Sequence, residues 1–230
     1  MARVFHGFEV KEKIGSGGMS TVYRGVHTTL GYPVAIKTLH HELVLDQSFV
    51  DRFEREAKAA CSLKHNNIVS VIDFGSEDEI YFIVMEYIDG PDLAQIFESL
   101  QVQGAPPRAL PAEIALILLE EVAYGLKAAH DNGIIHRDIK PSNVLIGKQG
   151  EVKIADFGLA RETHSMSRAP MHDLTIPGMV VGTPSYMSPE QAAGRDKLDG
   201  RTDIFSLGVM AYQLLSGEKP FTGSTASEIQ

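Results

Sequence analysis

Two regimes of hydrophobic patterning divide the chain. Across 8–24 and again across 32–39, short runs rich in Val, Ile and Tyr flank a cluster of glycines. That composition predicts strands joined by a tight loop. The period then changes over 46–63, where Phe49, Val50, Phe53, Ala57 and Ala60 recur three to four residues apart among charged residues. This spacing predicts an amphipathic helix. Two more strands are expected at 68–74 and 80–87. Beyond them Pro106, Pro107 and Pro111 mark a linker, and Pro111 also suits the first turn of a helix over 112–131. Its apolar stripe is Ile114, Ile117, Leu118, Val122, Leu126 and Ala129, and Gly133 stands where it should end. A second, largely apolar helix is predicted over 203–216, closed by Gly217 and Pro220. The pattern is that of an α+β chain in two lobes. Residues 8–88 form a small β-rich N-lobe with one main helix, and 89–230 form a mostly helical C-lobe. The boundary lies near Asp89-Gly90-Pro91.

Composition narrows the function classes. The chain has 230 residues, 43% of them hydrophobic, enough for a sizeable core. A formal net charge of -9 argues against nucleic-acid binding, which relies on basic patches that displace counterions. With one cysteine, Cys61, no internal disulfide can form. Its apolar, helix-predicted surroundings predict a buried structural thiol and a reducing, cytoplasmic location. No run approaches the ~18 apolar residues of a membrane span, although a longer parent chain anchored in a membrane is compatible with this. Nine histidines include the adjacent His40 and His41, but neither HExxH nor CxxC occurs, so no zinc site is expected.

The chemistry-bearing strings come in a fixed order. Ile14-Gly15-Ser16-Gly17-Gly18-Met19-Ser20-Thr21-Val22 places glycines between two strands, where backbone N–H groups can approach phosphate oxygens. A dinucleotide fold would need a helix directly after the glycines, and a Walker A loop would need GK[ST]; neither is present. Lys37 ends Val34-Ala35-Ile36-Lys37 on the next strand and would neutralise such phosphates. Two acids on the following helix, Glu56 and Glu54, compete to hold it; Glu56 sits beside small apolar residues. Then comes Ile135-His136-Arg137-Asp138-Ile139-Lys140-Pro141-Ser142-Asn143-Val144-Leu145, and eighteen residues after Asp138 stands Asp156-Phe157-Gly158.

Together these strings resemble the signature set of a eukaryotic-type Ser/Thr protein kinase catalytic domain, and the glycine-rich loop is most similar to its bacterial branch. The resemblance runs from about Phe8 to the end of the chain and implies the bilobal protein-kinase fold. It implies a transferase using ATP and Mg2+, with Ser/Thr hydroxyls of proteins as acceptors. Asp138 would accept or orient the hydroxyl proton, and Lys140 would offset charge on the transferred phosphoryl group. Asn143 and Asp156 would ligate Mg2+. Lys37 would hold the α- and β-phosphates, itself held by Glu56. The loop residues Gly15, Ser16, Gly17, Gly18, Met19, Ser20 and Thr21 would cover the phosphates. Ile14, Val22, Ala35 and Leu145 would sandwich the adenine, with Met85 at the gatekeeper position. Backbone groups of Glu86 and Ile88 would hydrogen-bond the ring, and Asp92 would reach the ribose. His136 and Phe157 would pack between the lobes, and Asp203 would brace the catalytic loop.

Lys140, two residues past Asp138, and the segment Gly182-Thr183-Pro184 agree with Ser/Thr rather than Tyr acceptors; Thr183 would bond the Asp138/Lys140 pair. Between Gly158 and Gly182, Thr175, Thr163, Ser165 and Ser167 are candidate phosphosites. A phosphate there would be received by Arg137, after trans-autophosphorylation in a transient dimer. Three departures stand out. Ser20 replaces the third loop glycine, and Ser188 replaces the commoner alanine before Pro189-Glu190. The domain is also expected to be incomplete at its C-terminal end, with the arginine partner of Glu190 falling beyond Gln230 and apolar helix faces left open. A nucleotide-binding, non-catalytic scaffold is the alternative to an active kinase.

Overall fold

The computed structural model describes residues 3–101, 108–157, 184–195 and 197–222. The N-terminal part is a six-stranded antiparallel sheet of order β1-β2-β3-β4-β6-β5. Its strands are β1 (Val4–Phe5), β2 (Phe8–Ser16), β3 (Ser20–His27), β4 (Pro33–Leu39), β5 (Val71–Glu77) and β6 (Ile80–Glu86). Between β4 and β5 run a short helix α1 (His41–Val44) and the longer α2 (Gln47–Ser62). Asp46 caps α2 by accepting the Ser48 N–H at 2.9 Å.

Strand alternation gives the sheet two distinct faces. Val34, Ile36, Phe82 and Val84 bury with Phe5 and Phe8 on the outer face. On the inner face β3 pairs Val22 with Lys37, and β4 pairs Ala35 with Met85 and Lys37 with Ile83. Helix α2 packs Val50, Phe53 and Ala57 against Leu39 and Ile83 of this inner face. Cys61 does not follow the expected burial. The buried residues of α2 are Val50, Phe53, Glu56, Ala57 and Ala60, and Cys61, one helical step past Ala60, is exposed. The strand expected from residue 68 starts only at Val71, because Ile68 bridges Ile154 and its fully buried side chain belongs to the lower core.

The helical part begins with α3 (Leu93–Leu100) and continues through α4 (Ala112–Asp131), the hairpin β7 (Val144–Ile146) with β8 (Val152–Ile154), α5 (Pro189–Ala192) and α6 (Arg201–Ser216). Gly133, at φ 72°, and Gly217, at φ 86°, follow α4 and α6 in the left-handed conformation that glycine adopts without a Cβ penalty. The buried stripe of α4 is Ala115, Val122, Gly125, Leu126 and Ala129. Ile114 and Ile117, expected in that stripe, are about half exposed, at 48% and 55%. A run of apolar residues on every side of the first turns leaves the helix phase to tertiary packing.

The linker between sheet and helices is sewn to the β7–β8 hairpin. Ile146 N–H donates to Pro91 O at 2.9 Å and Lys148 N–H to Asp89 O at 3.1 Å. A Cβ on Gly90 would sit 2.0 Å from Ile146 O, so only glycine fits this approach. Lys153 adds an ion pair of 2.8 Å to Glu86 at the end of β6.

Candidate active site

Strand β4, helix α2 and the turn after β8 bring the first charged cluster together. Lys37 is only 2% exposed, at the inner face of β4, and its Nζ donates to Glu56 Oε1 at 2.7 Å and to Asp156 Oδ1 at 2.8 Å. Helix phase decides between the two candidate acids. Glu56 faces inward and is buried, whereas Glu54 pairs with Lys58 along the solvent side at 3.1 Å. Burial would lower the Lys37 pKa, but the Asp156 carboxylate, and then Glu56, outweigh it and hold the ammonium above its ordinary value. Burial pushes the Glu56 carboxyl up to about 7 against the pull of Lys37; its second oxygen, Oε2, is buried without a hydrogen bond among the described residues. Asp156 goes the other way. Burial would raise it, yet the charge and hydrogen bond of Lys37, with His136 and Lys140 behind, keep it below the usual carboxylate range.

The second cluster lies on the loop between α4 and β7. Asp138 Oδ2 accepts Lys140 Nζ at 2.7 Å and Asn143 Nδ2 at 3.2 Å, and Asn143 Nδ2 also donates to Asp138 O at 2.8 Å. Ala155 N–H donates to Asn143 O at 2.9 Å, tying this loop to the residue before Asp156. Fully buried His136 stacks edge-on against Phe157 at 4.7 Å between ring centroids, and its Nε2 lies 2.9 Å from Ala155 O. Asp203, fully buried near the start of α6, clamps the loop. Its Oδ1 accepts Arg137 N–H at 2.6 Å and its Oδ2 accepts His136 N–H at 2.8 Å. Arg137 and Asp156 both hold positive φ, 67° and 62°, a conformation non-glycine residues keep only when their surroundings impose it.

The glycine-rich turn is the β2–β3 hairpin, closed by Gly17 N–H to Ser20 O at 2.8 Å. Gly15 pairs with Val22, and Ser16 pairs with Thr21. Strand alternation therefore puts the Val22 side chain on the Lys37 face and the Thr21 side chain on the outer face. Only the backbone of Thr21 remains to meet a phosphate from below; its hydroxyl is turned to His40. Ile14 is 47% exposed at the edge of this surface. Met85 lines a small cavity with Glu56, Ile83, Asp156 and Phe157. At the linker, Glu86 N–H donates to Ser70 O at 3.0 Å, and Ile88 O accepts Gly90 N–H at 3.1 Å. Asp92, expected at a ribose, caps α3 by accepting Gln95 N–H at 2.8 Å, and Leu145 bridges to it from β7.

Among the described residues no group of three or more His, Cys, Asp or Glu could hold a metal ion. Asn143 and Asp156 offer one amide oxygen and one ionised carboxylate, hard donors of the kind Mg2+ takes beside phosphates and waters. Gly158, Thr163, Ser165, Ser167, Thr175 and Thr183 lie outside the described residues. The Glu190 carboxylate accepts a hydrogen bond from Thr202 Oγ1 at 3.0 Å. A hydrogen bond from its own backbone N–H first, then those of Thr202 and Ser188 and the Arg195 charge, hold its pKa low against burial. Ser188 is fully buried, where its hydroxyl caps α5 and lies 3.3 Å from Thr202 Oγ1.

Sequence reasoning missed three partners. His130 Nε2 is the third contact of Asp203, at 2.8 Å; Lys153 holds Glu86; His40 holds Thr21. Each partner is remote in sequence except His40, which stands just past the end of β4, two residues after Thr38, the residue paired with Thr21.

The arrangement recurs in known proteins. The chain is 44% identical over 219 residues to serine/threonine-protein kinase PksC of Streptomyces coelicolor, covering 93% of this chain and 38% of that protein. It is 42% identical over 221 residues to serine/threonine-protein kinase PknL of Mycobacterium tuberculosis, covering 96% and 52%. The fold matches the solved kinase domain of M. tuberculosis PknI with a TM-score of 0.75 at 31% identity, over 97% of this chain and 78% of that one. The chain spans from 25% to 52% of the length of the curated relatives it matches. The model of the protein kinase domain covers residues 8–230, which include every residue of both charged clusters. With the paired clusters, the clamp on their loop and these likenesses in agreement, the chain belongs to the protein kinase domain family.

Proposed function

We propose that this chain transfers the γ-phosphoryl group of ATP to Ser or Thr hydroxyls of protein substrates, with residues 8–88 and 89–230 as its two lobes. The observation that carries the reading is the meeting of Lys37, Glu56 and Asp156 beside the loop that joins Asp138, Lys140 and Asn143. A scaffold that only bound nucleotide would have no use for an ion-paired Asp138 in that loop.

The chemistry is mainly positioning and charge neutralisation. Lys37, kept charged between two carboxylates, meets the α- and β-phosphates, while backbone N–H groups of residues 15–21 cover them. Ile14, Val22, Ala35, Met85 and Leu145 form the apolar surroundings of the adenine, which the linker backbone at Glu86 and Ile88 reads. Asn143 and Asp156 would hold Mg2+, which supplies charge stabilisation on the phosphoryl oxygens. The acceptor hydroxyl oxygen bonds to the γ-phosphorus as the bond to the β–γ bridging oxygen breaks; ADP leaves with that electron pair. Asp138 takes the hydroxyl proton, and Lys140 sits 2.7 Å from Asp138 to offset charge on the group in transfer. Such a site works where ATP and a reducing milieu coexist, the cytoplasm. No helix among the described residues is long and apolar enough to cross a membrane.

The test is transfer of radiolabelled phosphate from ATP, with Mg2+, to a generic basic protein, comparing the parent with Asp138→Asn. Transfer to Ser or Thr that the variant loses supports the assignment. Nucleotide binding without transfer by either protein would make the chain a binding module instead. Mass spectrometry of the same reaction should find phosphate on Thr175 or on Thr163, Ser165 or Ser167; an unmodified segment would refute autophosphorylation in trans.

A further inference from the structure

The outer face of the glycine-rich hairpin carries a polar chain that the phosphate-covering role of its backbone does not account for. Thr21 Oγ1 and His40 Nε2 share a hydrogen bond of 3.1 Å, and Ser16 Oγ lies 3.5 Å from the same Thr21 oxygen. Thr21 is 8% exposed, so this contact is sheltered from solvent. From the main chain, His40 N–H donates to Met19 O at the hairpin tip at 2.9 Å. From the helix side, Arg52 reaches Met19 Sδ at 3.8 Å. The space beneath the tip is lined by Met19, Ser20, Lys37, Arg52 and Glu56.

His40 thus joins two elements that must act together. It stands three residues past Lys37 on one continuous segment, with its side chain on the face opposite to the Lys37 ammonium. Through Thr21 and Ser16 its imidazole reaches both strands of the hairpin, and through its N–H it reaches the tip. The distance between the hairpin backbone and the lysine is the dimension that a polyphosphate has to fit. Gly17 and Gly18 give the tip no side chains to pack, and Met19 alone rests on the cluster of Leu39, Val50 and Phe53, so the tie from His40 adds a second restraint on its height.

We propose that His40, acting through Thr21, is a positioning residue that sets the height of the glycine-rich hairpin over Lys37, and thereby the affinity for the phosphates of a nucleoside di- or triphosphate. The proposal rests on the reading of this hairpin as the nucleotide phosphate site. It touches no reacting atom, so it acts on binding and not on the chemical step. Loss of one sheltered hydrogen bond corresponds to about fivefold in affinity.

The test measures calorimetric affinities of ATP, ADP and adenosine for the parent, His40→Ala, Thr21→Val, the double variant and His40→Gln. Weaker binding of ATP and ADP by about fivefold in either single variant, with adenosine unchanged, is the expected result. The double variant should lose no more than either single one, and His40→Gln, which keeps a polar hydrogen-bonding group, should recover part of the loss. In steady state the ATP KM of His40→Ala should rise with kcat within about twofold of the parent. Equal weakening of adenosine and ATP would overturn the proposal in favour of general damage to the sheet, and unchanged ATP affinity would overturn it outright. A parent that binds none of the three ligands would instead refute the nucleotide reading beneath it.

Discussion

Replacing Asp203 by Asn removes a charge and almost no volume, so its effect isolates the clamp on the catalytic loop. The carboxylate accepts Arg137 N–H on Oδ1, and on Oδ2 it accepts His136 N–H and meets His130 Nε2, all within 2.6–2.8 Å and fully buried. An asparagine offers one acceptor oxygen. Its better orientation keeps the two contacts at Oδ2 and turns the amide NH2 toward Arg137 N–H, leaving two donors face to face. A hydrogen bond to a buried charge contributes about 1.5–3 kcal/mol. We therefore expect Asp203→Asn to lose about 2–3 kcal/mol of stability, and Asp203→Ala, which abandons all three contacts and opens a cavity, about 5 kcal/mol. For a chain of this size the asparagine variant should melt about 5–10 °C lower.

The catalytic consequence follows from backbone strain. Arg137 holds φ 67°, a conformation costing about 1–2 kcal/mol for an L-residue, and the bond that the asparagine breaks is the one to its N–H. Released, Arg137 relaxes and carries the adjacent Asp138 with it. A displacement of about 1 Å at a catalytic group can cost roughly a hundredfold in rate. ATP affinity, set by the hairpin, Lys37 and the linker, should change little. Urea unfolding read beside steady-state kinetics tests both parts. A variant within about 0.5 kcal/mol of the parent, or one in which kcat holds and the ATP KM rises, would refute the role given to the clamp.

Two further outcomes are expected. Glu56, raised to about 7 by burial, gains its proton as pH falls through that value and stops balancing Lys37, so the ATP KM should rise from pH 8 to pH 6. Its effect on folding has the opposite sign: between the ordinary carboxyl value of 4.5 and about 7 the folded state binds the proton more tightly, so this contribution to stability is full below that window and lost as pH rises through it. Glu56→Gln should flatten both profiles; unchanged pH dependence in that variant would assign them to another group. Gly90→Ala would drive a Cβ to 2.0 Å from the Ile146 carbonyl, fixed backbone, and should cost about 1–3 kcal/mol in urea unfolding. Gly147→Ala meets only the mobile end of Glu151, at 1.9 Å, and should be tolerated; equal costs would show that backbone rigidity does not govern this linker.

What was legible in the sequence divides by range. Signals written within a few residues survive intact: the span of α4 from its period and flanking Pro111 and Gly133, the left-handed turn at Gly217, and the one motif string, 135–145, whose resemblance put Asp138 and Asn143 in one site. Helix phase was legible where polar and apolar faces differ, so α2 delivered Glu56 to Lys37. It was lost in the first turns of α4, where Ile114, Leu116 and Ile117 surround the axis with similar side chains. Contacts across 67 or 73 residues, such as Lys153 with Glu86 or His130 with Asp203, have no local signature, because nothing in either segment constrains the other until the chain has folded. Thr21 is the instructive case. Its place in the glycine-rich string suggested a phosphate contact. Which face its hydroxyl takes depends on the β3–β4 register, and a slip by one residue would exchange Thr21 with Val22. The register that puts Val22 over Lys37 is therefore the same one that hands Thr21 to His40. The apolar wall proposed for the nucleotide site and the tie proposed for its roof come from a single pairing decision.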